Sequence, residues 1–146
     1  METKGKRTAL FFAALVTAAF LVNFCWESLH GLLYEGHPSM AAERYVPMML
    51  FMASMDALAV TGLYLLTALG ARRLFWVPEW KNTLVFSLSG LVAAFGMEYA
   101  SIFWLHLWRY RPAMPELFGI GLFPLIQLSV TGLFSVVVAR KIALDG

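Results

Sequence analysis

Four stretches of the sequence, at about residues 8–26, 47–69, 83–108 and 118–139, each hold roughly 20 mostly apolar residues. That is the length of helix needed to cross a ~30 Å hydrocarbon layer. Nothing else restricts the fold as strongly. Backbone polar groups cannot go unpaired in lipid, so a spanning segment is either a helix or part of a closed barrel. The ten-residue alternating segments that barrel strands require are missing. The expected fold class is therefore all-α, a polytopic membrane protein built as a bundle of four transmembrane helices. Its 146 residues form a single integral membrane domain, with almost nothing left for a soluble one.

Lys4, Lys6 and Arg7 precede the first apolar stretch, as in a signal peptide, but no small-residue cleavage site follows. Asn23 and Phe24 are also wrong for a lipoprotein box before Cys25, so the stretch is expected to stay as a helix. A single cysteine permits no intramolecular disulfide. Short loops rich in Lys and Arg stay in the cytoplasm. With the amino terminus inside, the inner set is Lys4, Lys6, Arg7, Arg72, Arg73, Lys81, Arg140 and Lys141, and the outer set only Arg44, Arg109 and Arg111. Both termini are accordingly expected in the cytoplasm. The net charge of +2 follows this topology, and no basic patch argues for a nucleic-acid partner. Trp76 and Trp80 on the inner side, with Trp104, Trp108 and Tyr110 on the outer, fit interfacial aromatic belts.

The acidic residues follow the opposite geography. Asp56 stands nine residues into the second apolar stretch and Glu98 ten residues from the outer end of the third, which places each ~14 Å deep. Gln127 lies about as deep in the fourth. A carboxyl at mid-bilayer costs roughly 2.5 kcal/mol or more, so by default it marks a relay, a pathway or a site. Residues at i, i+4, i+7 and i+11 share a helical face. Asn23, Glu27, His30 and Tyr34 form one such stripe, Ser87, Ala94, Glu98 and Ser101 a second, and Gln127, Thr131 and Ser135 a third. Turned inward, the stripes give a polar pocket open to the outer side. Asn23 and Gln127 serve equally as interhelical glue, while Glu35, His37 and Glu43 read as loop residues in water. Pro124 belongs in a first helical turn, behind a bend at Gly119 and Gly121 that is either a pocket wall or a plain kink. Arg109 and Arg111, at the outer headgroup level, can pair with the carboxylates, clamp an anionic headgroup or snorkel.

Glu27-x-x-His30 is the i, i+3 pair that dinuclear helical bundles use twice, along with two further Glu. It occurs once here, so a dinuclear centre is not expected. No cofactor is predicted, although the ligand types of Glu27, His30, Asp56 and Glu98 would suit a mononuclear metal ion. Met48, Met49, Met52 and Met55 suit copper(I), and suit gap-filling equally well.

Three patterns stand out: N-x-x-W-E over 23–27 with His30, W-R-Y-x-x-x-M-P over 108–115, and G-x-G-x-x-P-x-x-Q over 119–127. Together they resemble small bacterial four-helix inner-membrane proteins that carry no known activity, which implies a bacterial inner-membrane location. Trp26-Glu27 after Asn23 also resembles the membrane-embedded terpene cyclases, in which an intramembrane acid protonates an isoprenoid. Those proteins are longer, and the likeness carries over only to Glu27 as an acid.

Two functional classes and a structural alternative follow. The first is a lipid- or isoprenoid-modifying enzyme, an isomerase or cyclase-like protein, since carboxyls in a low dielectric can act as general acids near neutral pH. Glu98 and Glu27 would donate and accept the proton, with Asp56 and His30 orienting them. Asn23, Trp26, Tyr99, Trp104, Arg109 and Gln127 would hold an apolar substrate, and Phe95 would help to shelter it. The second is a transporter of a proton, cation or small solute that titrates at Asp56 and Glu98. Four helices are few for a pathway, so this reading calls for a homo-oligomer. The third is a structural or assembly subunit whose polar stripes are interhelical contacts, and on every reading membrane lipids are expected partners. No Walker loop, dinucleotide fingerprint, nucleophile elbow or cysteine metal box is present.

Overall fold

The computed structural model describes residues 2–144. Its helices are α1 (Glu2–His30), α2 (Ala42–Ala71), α3 (Trp80–Tyr99, continued by a π-helical turn over Ala100–Trp104) and α4 (Leu122–Ala143). All four are long and apolar enough to cross a membrane. They form a four-helix bundle in which α1 packs against α2 and α4, and α3 packs against α4. The α2–α3 seam is the loosest side of the ring.

The bundle has a basic end and an acidic end. At the basic end the Arg7 guanidinium donates to the carbonyls of Ala143 (3.0 Å) and Leu144, tying the start of α1 to the end of α4. There a cation meets unpaired helix C-terminal carbonyls, a favourable arrangement for the helix dipole. The turn between α2 and α3 lies at the same end, where Arg140 donates to the Trp76 carbonyl at 2.7 Å and Tyr64 to the Leu74 carbonyl at 2.6 Å. Above these bonds the bundle is filled by Phe11, Leu15, Val60, Tyr64, Trp76 and Phe86, all fully or almost fully buried. The outward faces are as apolar as the core, with Leu21, Leu58, Leu69 and Val92 all well exposed. For helices surrounded by lipid, close fit and interhelical hydrogen bonds would decide the packing more than burial does. Two glycines set the closest approaches. A Cβ on Gly132 of α4 would stand 2.6 Å from the Phe86 ring of α3, and one on Gly90 of α3 would stand 2.8 Å from Ser129 Oγ of α4.

At the acidic end the structure departs from the expected helix limits. The third helix was expected to run to 108 but stops at Trp104: the π turn is closed by the Leu105 N–H on the Ala100 carbonyl (2.9 Å), and His106 then takes a left-handed φ of 51°. The chain doubles back instead of continuing outward. The fourth helix was expected from 118 but starts at Leu122. A small antiparallel hairpin comes first, with β1 (Glu116–Leu117) pairing β2 (Ile120–Gly121) around Phe118 and Gly119, whose φ values are 54° and 76°. Two consecutive positive φ values are the signature of a type I′ hairpin turn. Pro124 falls in the first turn of α4, where a missing N–H costs nothing.

Candidate functional site

The inward stripes converge near the acidic end on a cavity of about 400 Å³. Glu27 of α1, Asp56 of α2 and Glu98 of α3 all line it, with Gln127 of α4 between them and methionines forming much of the remaining wall. All three carboxyls are largely buried.

Gln127 joins three helices. Its Nε2 lies 2.7 Å from Glu27 Oε1, 2.8 Å from Asp56 Oδ2 and 3.0 Å from Asn23 Oδ1. Asn23 donates its own amide to the Ala19 carbonyl (2.9 Å), which turns its oxygen toward Gln127 and the Thr131 hydroxyl (3.0 Å). Helical spacing explains the set, because Asn23 and Glu27, like Gln127 and Thr131, are four residues apart and share a face.

Glu98 has a separate set of partners. The Tyr110 hydroxyl donates to Glu98 Oε2 at 2.5 Å, the Trp108 indole N–H to the same oxygen at 3.3 Å, and the Tyr34 hydroxyl approaches both oxygens at 3.4–3.5 Å. Burial, then the neighbouring Glu98, pushes both phenols well above the usual tyrosine range, so both keep the proton they donate. Trp108 and Tyr110 reach back to Glu98 because the chain reverses at His106, and Tyr110 is held there by a β-bridge to Tyr34. The groups bonded to the three carboxyls are thus an amide, two phenols and an indole, all of them neutral.

The two loops at the acidic end lie across the top of this arrangement. The Glu35 N–H donates to the Arg109 carbonyl (2.9 Å) and the Arg111 N–H to the Leu33 carbonyl (2.8 Å), while Arg111 Nη1 reaches the Leu32 carbonyl (3.0 Å). Tyr34 and Met114 are buried beneath these bonds.

Of the residues singled out in the sequence, Glu27, Asp56, Glu98 and Gln127 meet in the cavity, and Asn23 supports them from one turn away. Others stand elsewhere. His30 is buried, but its Nδ1 pairs with the Trp26 carbonyl (3.0 Å) and its ring abuts Tyr34, so it does not line the cavity. Trp26 is half-buried off the cavity, with an indole nitrogen that has no partner among the described residues. Phe95, Tyr99 and Trp104 lie on the exposed flank of α3, where Tyr99 contacts both of the other rings. Arg109 is exposed and contributes only its backbone to the roof. Among the described residues no group of three or more His, Cys, Asp or Glu side chains is placed to hold a metal ion, so Glu27, His30, Asp56 and Glu98 do not form a chelating set.

Tyr34 was already on the inward stripe of the first helix, whereas the sequence reading missed His37, Trp108 and Tyr110 as contributors. His37, taken for a loop residue in water, lines the cavity with Nδ1 2.9 Å from the Gly31 carbonyl. Burial holds its pKa below the ordinary value. A signal existed for the aromatic pair: in an extended segment Trp108 and Tyr110 share a side and Arg109 takes the other. No family model matches the chain, and no curated protein or solved structure compared with it is significantly similar.

Proposed function

We propose that the chain is an integral membrane protein with its basic end and both termini in the cytoplasm, and that the cavity carries out acid/base chemistry on a lipid-soluble substrate such as an isoprenoid. One observation carries this reading: three carboxyls line a single cavity with largely apolar walls, and every group bonded to them is neutral. Buried carboxyls without cationic partners are expensive to maintain, and a structural role would be served more cheaply by amides and hydroxyls.

The hydrogen-bond count divides the roles. Gln127 Nε2 has two hydrogens for three acceptors, so the set formed by Asn23, Glu27 and Asp56 is one donor short. Glu27 and Asp56, which share this short supply of donors, suit the proton-donating role. Glu98 receives the donors Tyr34, Trp108 and Tyr110 and suits the accepting role. The faces of Tyr34 and Trp108 beside it would favour a transient positive charge on the substrate.

The transport reading fits less well, because Phe11, Tyr64, Trp76 and Phe86 fill the bundle between the cavity and the basic end. Native mass spectrometry of gently solubilised protein, wild type beside Glu98→Gln, tests the proposal. The expected result is a defined apolar molecule on the wild type that is lost from, or chemically different on, an equally folded variant. Oligomers carrying only bulk phospholipid in both forms would return the protein to a transport or structural role.

A further inference from the structure

How a molecule reaches the three carboxyls is limited by what surrounds them. At the acidic end the loops are tied together by backbone bonds between residues 33–35 and 109–111, and the neighbouring Tyr34, which lines the cavity, and Met114 are buried. The basic end is filled by the aromatic core. Along the sides, α1 packs closely on both of its neighbours and the glycine contacts close the α3–α4 seam, which leaves the looser α2–α3 seam. Cavity-lining residues reach the surface in that seam. Met55 of α2 is 43% exposed and Met97 of α3 is 49% exposed, and each is followed directly in the sequence by a cavity carboxyl, Asp56 and Glu98. Each methionine therefore both lines the cavity and reaches the surface, beside a carboxyl that lines the cavity and is buried. Met52, half-buried and also lining, sits one helical turn from Met55.

We propose that the substrate reaches the carboxyls sideways, from within the bilayer, by passing between Met55 and Met97 through the α2–α3 seam. The molecule admitted is lipid-dissolved, with a slender apolar chain that lies along the methionines and a reactive group set between Asp56 and Glu98. Methionine suits such a passage: its unbranched thioether is flexible enough to part and polarisable enough to contact saturated and unsaturated chains alike. A hydrated solute would instead have to leave water for an apolar flank, since the outward residues Leu58 of α2 and Val92 of α3 are both apolar and exposed. This inference rests on the membrane reading given above, but not on the chemistry assigned to the carboxyls.

The test uses the full chain reconstituted in phosphatidylcholine vesicles that contain a phosphatidylcholine with a photoreactive alkyl diazirine midway along one acyl chain. A short, charged, water-soluble diazirine serves in a parallel sample, and adducts are mapped by peptide mass spectrometry. Adducts of the lipid probe are expected on Asp56 or Glu98 as well as on outward residues such as Leu58 and Val92. In Met55→Trp/Met97→Trp the carboxyl adducts should be lost while the outward ones persist, and in Met55→Ala/Met97→Ala they should increase, so that a folding defect in either variant cannot imitate both results. Lipid adducts on Leu58 and Val92 without any on the carboxyls would overturn sideways access and leave the membrane reading standing. Carboxyl labelling by the water-soluble probe alone would replace it with an aqueous route. No lipid adduct anywhere would remove the membrane reading and this inference together.

Discussion

Gln127 is the residue on which the site depends most, because one amide nitrogen serves acceptors from α1 and α2. Gln127→Leu would leave buried acceptors without a donor, at about 1–3 kcal/mol for each one unsatisfied. The variant should therefore unfold at a markedly lower temperature in detergent than the wild type, and a wild-type melting curve would show that the amide has little structural weight. His37 supplies a pH dependence. Its ring borders Tyr34 and Tyr45 and feels the charges of Glu27 and His30, but burial dominates and keeps its folded pKa below the ordinary histidine value. The unfolded chain thus binds the proton first, and stability rises with pH wherever the unfolded state holds more protons. The contribution is fully present above the ordinary value and is lost as pH falls below it toward the folded value. His37→Asn should flatten the fall in melting temperature between pH 7 and pH 5, and an unchanged slope in that variant would assign the acid sensitivity to other groups.

Among the elements, α3 and α4 show how local chemistry sets the fit. Gly132 and Gly90 admit the neighbouring helix so closely that a methyl group would collide with Phe86 or Ser129. Gly132→Ala is expected to destabilise by about 1–3 kcal/mol through overpacking. Gly62, on α2 with nothing within 4 Å of its added Cβ, should respond in the opposite direction and gain about 0.4–1 kcal/mol on mutation to Ala through reduced freedom of the unfolded chain. Paired chemical or thermal unfolding of the two variants checks the contrast, and equal effects would contradict the close approach of α3 and α4. The ends of these elements were harder to read than their middles. The apolar run from Thr83 continues through Trp108 and gives no sign that the helix ends at Trp104, because the π turn and the left-handed His106 are held by backbone bonds and by the pull of Tyr110 and Trp108 toward Glu98. At the start of α4, Gly119 marked a bend, but Phe118 in a left-handed conformation, 86% exposed at the hairpin tip, is not something a propensity scale anticipates.

On the scale of the whole molecule, the asymmetry of charge and the position of the loops agree. Lys4, Lys6, Arg7, Arg72, Arg73, Lys81, Arg140 and Lys141, with Glu79, gather at the end where the start of α1 and the end of α4 meet the α2–α3 turn, while at the other Glu35, Glu43 and Glu116 balance Arg44, Arg109 and Arg111. In a Cys25→Ser background, a cysteine in place of Arg73 should react with an impermeant thiol reagent only from the cytoplasmic side, and one in place of Pro112 only from the outside. The reverse pattern would invert the orientation.

The sequence by itself determined the number of helices, their apolar length and the polar stripe on three of them, because these depend on composition and on a period of about 3.6 residues. It also singled out Glu27, Asp56, Glu98 and Gln127, since ionisable and amide groups stand out against an apolar background. Which of the remaining polar residues join them depended on the tertiary structure. His30 shares the face of Glu27 yet is used by the Trp26 carbonyl, while Tyr34, Trp108 and Tyr110 come to Glu98 through a chain reversal and a bridge between two loops. Contacts between residues 64 to 108 positions apart, such as Tyr34 with Glu98 and Asn23 with Thr131, have no local signature. They exist only once the helices have packed, and it is this packing that turned three separate polar stripes and the lone Asp56 into one cavity.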